Sequence, residues 1–222
     1  MGQISIKIFS LIHYIPIIES FLNDYEKCED EYIIGLNDSL TFLYYSLAKY
    51  ERALDIQDRM LELREKLFGK EVNEYAKGLN LKAVILTELG KFNEALKLHY
   101  QVIEIREDSV DLKKDLIVSY NNISMSYSNL KENNLALKFL KKALEISEEI
   151  FDKKDIRLAS LYSNISLIYQ ALGNYKNALI FIKKDLELSE SILDVNHIDL
   201  ALSYNNISII YQGNTVYKKD RT

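Results

Sequence analysis

The sequence repeats itself with a period of about 42 residues, and this period restricts the fold more than any other feature. A motif with the pattern Leu-x-x-x-x-x-Ala-Leu occurs four times, and its alanines are separated by 42, 41 and 42 residues: Ala53, Ala95, Ala136 and Ala178. A second motif, Tyr-x-Asn-Ile-Ser, begins at Tyr120, Tyr162 and Tyr204, again 42 residues apart. A fixed period of this length is typical of solenoids and other repeat arrays.

Each repeat is predicted to form two helices joined by a short turn. Apolar and small residues recur at helical spacing from about Leu158 to Leu172 and again from about Lys176 to Leu193. Gly173-Asn174 lies between these segments, where a residue able to adopt positive φ ends a helix. The single proline and seven glycines disfavour an all-β fold, which needs many tight turns. The sequence therefore predicts an all-α fold, a right-handed α-solenoid of stacked helix-turn-helix repeats.

The repeat register divides the chain into six segments. Residues 1–33 are predicted to be an N-terminal amphipathic capping segment, and 34–67, 76–109, 117–150 and 159–192 are four complete repeats. Residues 201–222 are predicted to be a truncated fifth repeat, with a first helix and a tail, although Gly213-Asn214 imitates the turn at Gly173-Asn174. Terminal repeats normally need a polar cap. Two interpretations stay open: the array is cut from a longer one, or its uncapped C-terminal edge self-associates.

Small and aromatic side chains recur at fixed positions and are predicted to pack the repeats. Large side chains at the small positions would hold the helix axes apart, and overpacking a tight site typically costs about 1–3 kcal/mol. Asp185 takes the place of the small Ala143, so that junction is expected to be strained or hydrated. The predicted packing residues are Ala53, Ala95, Ala136, Ala178, Ser124, Ser166, Ser208, Tyr127, Tyr169 and Tyr211.

These motifs resemble the tetratricopeptide repeat family. The small residues, the aromatic position and the Gly-x-Phe/Tyr-x-x-Ala turns that begin at Gly90 and Gly173 follow its pattern. The period is longer than the usual 34 residues and is similar to that of kinesin light chains and nephrocystin-like arrays, whose first-helix signature resembles Asn121-Asn122-Ile123-Ser124. The resemblance covers roughly Ile34 to Gln212. It implies a non-catalytic scaffold that binds a protein or peptide partner and needs no cofactor.

In the architecture that this resemblance implies, first helices line a concave groove. The row beside the packing face of each first helix is predicted to face that groove. An apolar floor with amide side chains would suit a peptide with hydrophobic side chains, because each amide offers a donor and an acceptor. The alternative is that the asparagines brace neighbouring helices. The predicted groove residues are Asn122, Met125, Asn129, Asn164, Leu167, Asn206 and Ile209.

Charge and motif content argue against other functional classes. The net charge is −5 and basic residues are spread along the chain, which gives no footprint for nucleic acid. The three histidines, His13, His99 and His197, show no metal-ligand spacing, and no phosphate-binding loop or nucleophile elbow is present. We therefore predict no enzyme activity and no metal.

The N-terminal segment and the single cysteine bear on location. Residues 4–21 are apolar but carry Lys7, His13, Pro16 and Glu19, so membrane insertion is not expected. Cys28 has no partner for an internal disulfide, which favours a reducing compartment and a cytoplasmic location. Two alternative roles stay open, a peptide-responsive regulatory sensor and a non-functional fragment of a longer array.

Overall fold

A computed structural model describes residues 13–24, 30–107 and 109–219. Throughout these residues the regular structure is helical, with no strand, which confirms the all-α fold class. A short 3-10 turn at Val110–Leu112 precedes the sixth helix. The helices are α1 Ile15–Asp24, α2 Glu31–Ser46, α3 Tyr50–Phe68, α4 Asn73–Glu88, α5 Phe92–Arg106, α6 Lys113–Asn129, α7 Asn133–Ile150, α8 Ile156–Ala171, α9 Tyr175–Ile192 and α10 Ile198–Lys219.

The chain divides into two compact units, residues 1–108 and 109–222. The first unit holds α1 and the hairpins α2/α3 and α4/α5, and the second holds the hairpins α6/α7 and α8/α9 followed by α10. The helices of α8/α9 begin and end within two residues of the bounds that periodicity suggests. The parts of the predicted capping segment at 1–12 and 25–29, Cys28 among them, lie outside the described residues.

Helix α1 packs on α2 through one side. Ile15 is buried in a cluster with Ile34, Leu40 and Tyr44 of the first unit. The Tyr44 hydroxyl donates a hydrogen bond to Glu19 of α1, and burial, followed by that bond, raises the pKa of Tyr44. The side of α1 that carries Ile15 is therefore fixed against the first hairpin.

The hairpin turns place one residue of each repeat in the left-handed region. Gly90 and Gly173 have φ of 74° and 71°, while their equivalents Ala48 and Lys131 have φ of 55° and 64°. Glycine reaches these angles freely, whereas a side chain with a Cβ is strained there. The four turns thus share one geometry, and two of them adopt it against the preference of their residue.

Inside the hairpins of the second unit, small residues let the helices approach and an aromatic pair fills the space beside them. Ala178 is fully buried, and the Ser166 hydroxyl donates to its carbonyl oxygen at 2.9 Å. Tyr169 stacks on Phe181 with ring centroids 5.6 Å apart. The preceding hairpin repeats the stack, with Tyr127 on Phe139 at 5.7 Å. The other three alanines of the motif and Ser124 are also buried: Ala53, Ala95, Ala136 and Ser124.

The last repeat differs from the packing role that the motif assigns to its residues. Ser208 and Tyr211 are both exposed, Tyr211 by 45%. Helix α10 runs through Gly213 without a break to Lys219, so within the described residues no second helix follows to cover this face. A Cβ at Gly213 would lie 2.5 Å from the Tyr175 ring. Glycine at this position therefore provides close packing and does not form a turn.

Asp185 places a carboxyl group inside the junction beneath α10. Its side chain is almost fully buried, and the Ser189 hydroxyl donates to its Oδ1 at 3.0 Å. Burial raises the pKa of Asp185, and hydrogen bonds from Ser203, Ser189 and Ser163 offset part of that rise. The equivalent Ala143 is completely buried, so the carboxyl group takes the place of a small apolar side chain and disfavours its own charged form.

Relief of the turn strain should stabilise the protein. We expect Lys131→Gly to raise the free energy of unfolding by up to about 1 kcal/mol, because the strain removed outweighs the added flexibility of the unfolded chain. Urea unfolding followed by circular dichroism measures the change. The reverse substitution Gly173→Ala is the matched control and should lower stability. A loss of stability in Lys131→Gly would contradict the assignment of strain to this turn.

Removal of the buried charge should also stabilise the second unit. We expect Asp185→Asn to raise the free energy of unfolding at neutral pH by on the order of 1 kcal/mol, or about 2–4 °C in Tm. Because the folded state raises the pKa of Asp185, the native protein gains stability as pH falls through that raised value, and the gain is complete below the unfolded value near 3.8. The advantage of the variant should therefore shrink in acid. Asp194→Asn, at an exposed site, should change neither quantity.

Candidate functional site

A row of exposed apolar side chains crosses the first helices of the second unit. Met125 of α6, Leu167 of α8 and Ile209 of α10 are 41%, 40% and 42% exposed. They are spaced at the repeat period, and their nearly equal exposure shows that each repeat leaves this position open. We call these three residues the apolar row. Val118 and Leu202, one helical turn or more toward the helix N-termini, are also exposed.

The asparagines beside the apolar row connect consecutive first helices. Asn164 Nδ2 donates to Asn121 Oδ1 at 2.9 Å, and Asn206 Nδ2 donates to Ser163 Oγ at 3.4 Å. Asn122, Asn164 and Asn206 are all half-buried. The bracing contact that was the alternative interpretation is therefore present for two of the three amides. Each amide oxygen has two lone pairs, so a bracing amide can still accept from a bound chain.

The row ends differently in each repeat. Asn129, the last residue of α6, is exposed, but its equivalents in α8 and α10 are Ala171 and Gly213. The amide at this position is thus confined to one repeat. The apolar row is repeated three times, whereas the polar group at its end occurs once.

Lysines lie over aromatic rings on the opposite side of the hairpins. The Lys142 ammonium is 5.1 Å from the centre of the Tyr120 ring, and Lys184 is 5.3 Å from that of Tyr162. The sequence reveals the repeated lysines but not these contacts, because ring stacking depends on how the second helix rotates against the first. Cation–π contacts of this kind stabilise the hairpin and give these lysines a structural role.

The first unit contains polar groups in its core that the periodic pattern did not reveal. Arg64 is almost fully buried and pairs with Asp38 at 2.5 Å, and Gln57 Nε2 donates to Asp38 Oδ1 and Thr41 Oγ1 at 3.0 Å. A cavity of about 980 Å³ is lined in part by Asp38 and Arg64. The equivalents of Gln57 and Arg64 in the third repeat are Leu140 and Ser147. The unequal residues at these repeat positions were the available signal.

The titratable groups do not assemble a reactive site. His99 lies in the core of the first unit, where burial lowers its pKa to about 4, so its ring stays neutral at neutral pH. Among residues 13–24, 30–107 and 109–219, no cluster of three or more His, Cys, Asp or Glu side chains is placed to hold a metal ion. In the same ranges, no helix has the length and apolar content to cross a membrane.

Comparisons with known structures show where this fold occurs. The bacterial protein BtubC (BKLC) from P. vanneervenii has a TM-score of 0.74 and 16% identity, covering 99% of this chain and 87% of that one. A putative kinesin light chain from Podosopora anserina with nearly identical TPR-like repeats has a TM-score of 0.71 and 16% identity, covering 83% of this chain and 88% of that one. RapI in its apo form has a TM-score of 0.68 and 23% identity, covering 83% of this chain and 65% of that one. At these identities the similarity shows the fold alone.

Sequence comparison identifies the family. No curated protein matches the chain. The family model described as tetratricopeptide repeat matches residues 36–108, 115–184 and 157–215. These matches span well over half of the chain, and the structural neighbours confirm the resemblance to kinesin light chain-like arrays. The protein belongs to the tetratricopeptide repeat family.

Proposed function

We propose that this protein is a non-catalytic interaction scaffold that binds a segment of another protein along the apolar row. The observation that carries the proposal is the matched exposure of Met125, Leu167 and Ile209 in three successive repeats. Full burial of such a side chain contributes roughly 1.5–3 kcal/mol, and the remaining exposure of these three leaves a part of that available to a ligand. Family membership supports a protein-interaction role in general.

The side chains around the apolar row favour an extended segment with hydrophobic side chains. The nearby groups at the equivalent repeat positions are the amides Asn122, Asn164 and Asn206, which carry no charge. An amide oxygen accepts a hydrogen bond from a backbone N–H. An extended chain that alternates apolar side chains with backbone N–H groups therefore matches both features, and a strongly charged ligand does not.

The environment in which binding takes place follows from the sequence. We propose a cytoplasmic scaffold, because Cys28 is the only cysteine and a reducing compartment suits an unpaired thiol. The proposed partners are proteins or peptides, since the net charge of −5 gives no electrostatic attraction to nucleic acid. The exposed face of α10 supports a further proposal of self-association.

Charge introduced into the apolar row should abolish peptide binding. We expect peptides selected from a random display library on the purified protein to be rich in apolar residues. They should bind the triple variant Met125→Glu, Leu167→Glu, Ile209→Glu at least about 100-fold more weakly, which is a loss of about 2.7 kcal/mol. Isothermal titration calorimetry measures the affinities.

A matched control uses apolar residues of the same unit that lie outside the row. Leu135 of α7 and Ile180 of α9 are exposed to a similar extent. Leu135→Glu with Ile180→Glu should leave peptide affinity unchanged. Equal loss of affinity in the control and the row variant would refute binding at the apolar row.

The asparagines are expected to contribute to both stability and binding. Asn164→Ala and Asn206→Ala each remove an inter-helix hydrogen bond and should lower the free energy of unfolding by about 0.5–1.5 kcal/mol. Combined with Asn122→Ala, they should also weaken the selected peptides. Chemical unfolding and titration of the same samples separate the two effects. If stability falls while peptide affinity stays constant, the asparagines brace the helices only.

A further inference from the structure

Helix α10 exposes a face that the equivalent first helices bury. Tyr204 and Tyr211 are 48% and 45% exposed, and Ser208 between them is exposed as well. At the same repeat positions in α6, Tyr120 and Ser124 are buried and Tyr127 is half-buried. We call Tyr204, Ser208 and Tyr211 the α10 face.

The interior hairpins show what covers this face. In α8/α9 the side chain over the second tyrosine is Phe181, which stacks on Tyr169, and the side chain over the first is Lys184, which lies on Tyr162. The hairpin α6/α7 has the same arrangement. The face is thus built to receive a second helix that presents two ring-contacting side chains three residues apart.

Helix α1 and the residue before it carry such a pair on their exposed side. Tyr14 is 54% exposed, Ile17 is 64% exposed and Phe21 is 45% exposed. These residues have the spacing of one helical stripe. The other side of α1, which carries Ile15, is buried against α2. The apolar stripe of α1 therefore remains available for a contact that the first unit does not supply.

The repeat register relates the stripe to the second helices. Tyr14 stands at the position of Phe139 and Phe181, and Ile17 stands at the position of Lys142 and Lys184. Ile15, in the same register, matches Leu140 and Ile182, which are buried like Ile15 itself. The alanine position falls at Leu11, outside the described residues. By sequence register and by exposure, α1 has the character of a second helix without its first helix.

We propose that α1 of one copy packs on the α10 face of another copy and serves as the second helix of its fifth repeat. Tyr14 then contacts Tyr211 as Phe181 contacts Tyr169, and Ile17 covers the Tyr204 ring as Lys184 covers Tyr162. The two contacting surfaces are different parts of the chain, so the association is head-to-tail. A head-to-tail contact that does not close into a ring produces open chains.

The register favours this contact over pairing of two α10 faces. A symmetric pair would place tyrosine against tyrosine and serine against serine without the side chains that fill this face in α7 and α9. The stripe on α1 supplies an aromatic residue and an aliphatic residue at the two required positions. The proposed contact does not use the apolar row, so peptide binding and self-association are separate properties of the molecule.

Two variants with complementary defects test the proposal on the full-length chain. Sedimentation velocity over a wide concentration range should show the wild type forming species larger than a dimer as concentration rises. Tyr14→Lys removes the α1 contact and Tyr211→Lys removes the α10 contact, so each variant alone should remain monomeric. Because each keeps the surface that the other lacks, an equimolar mixture should form a dimer and nothing larger. Unchanged circular dichroism melts show that both variants fold.

The control is Tyr32→Lys, at a tyrosine of α2 that is 79% exposed, and it should associate like the wild type. A wild type that stays monomeric at every concentration overturns the proposal. So does association of Tyr14→Lys alone, which would indicate pairing through α10 faces, or a mixture that yields no dimer. The apolar-row residues are unaltered in these variants, so this result is independent of the peptide-binding result.

Discussion

The close approach of two helices at an alanine is the constraint on which the rest of the structure depends. Ala178 is fully buried, and its carbonyl oxygen accepts a hydrogen bond from the Ser166 side chain of the partner helix. Because both side chains are small, the Tyr169 and Phe181 rings can stack beside the crossing. A larger residue at either position would separate the helices and remove the stack. The 42-residue period of the sequence is the period of this contact.

Repetition made the fold predictable, since each repeat is an independent copy of the same signal. The four alanines and the paired turns placed the hairpins before any coordinates were considered, and Gly173 does end its helix with a positive φ. Gly213 shows the limit of this reasoning. The residues that follow it imitate the earlier turn, yet α10 continues through it. A local turn motif ends a helix only when a second helix is available to pack against the first.

The differences between repeats were harder to predict than their similarities. Gln57 and Arg64 are buried polar residues at positions that carry Leu140 and Ser147 in a later repeat. Burial of Arg64 requires a carboxylate at Asp38 and a glycine at Gly78, where a Cβ would lie 2.9 Å from the arginine side chain. These partners belong to other helices and obey no period. Knowledge of which side chains meet across a junction was needed to recognise them.

The candidate site was predictable in position and only partly in chemistry. Periodicity placed Met125, Leu167 and Ile209 next to the packing face, and geometry explains why they are exposed: each follows a small residue that points into the hairpin. The bracing of Asn164 against Asn121 depends on the distance between helices, which the sequence does not give. Substitutions in the apolar row leave the alanine crossings intact, whereas substitutions at the crossings displace the row. Stability and recognition are thus assigned to adjacent but different positions, and the partner of such an array is determined by the positions that the fold leaves free to vary.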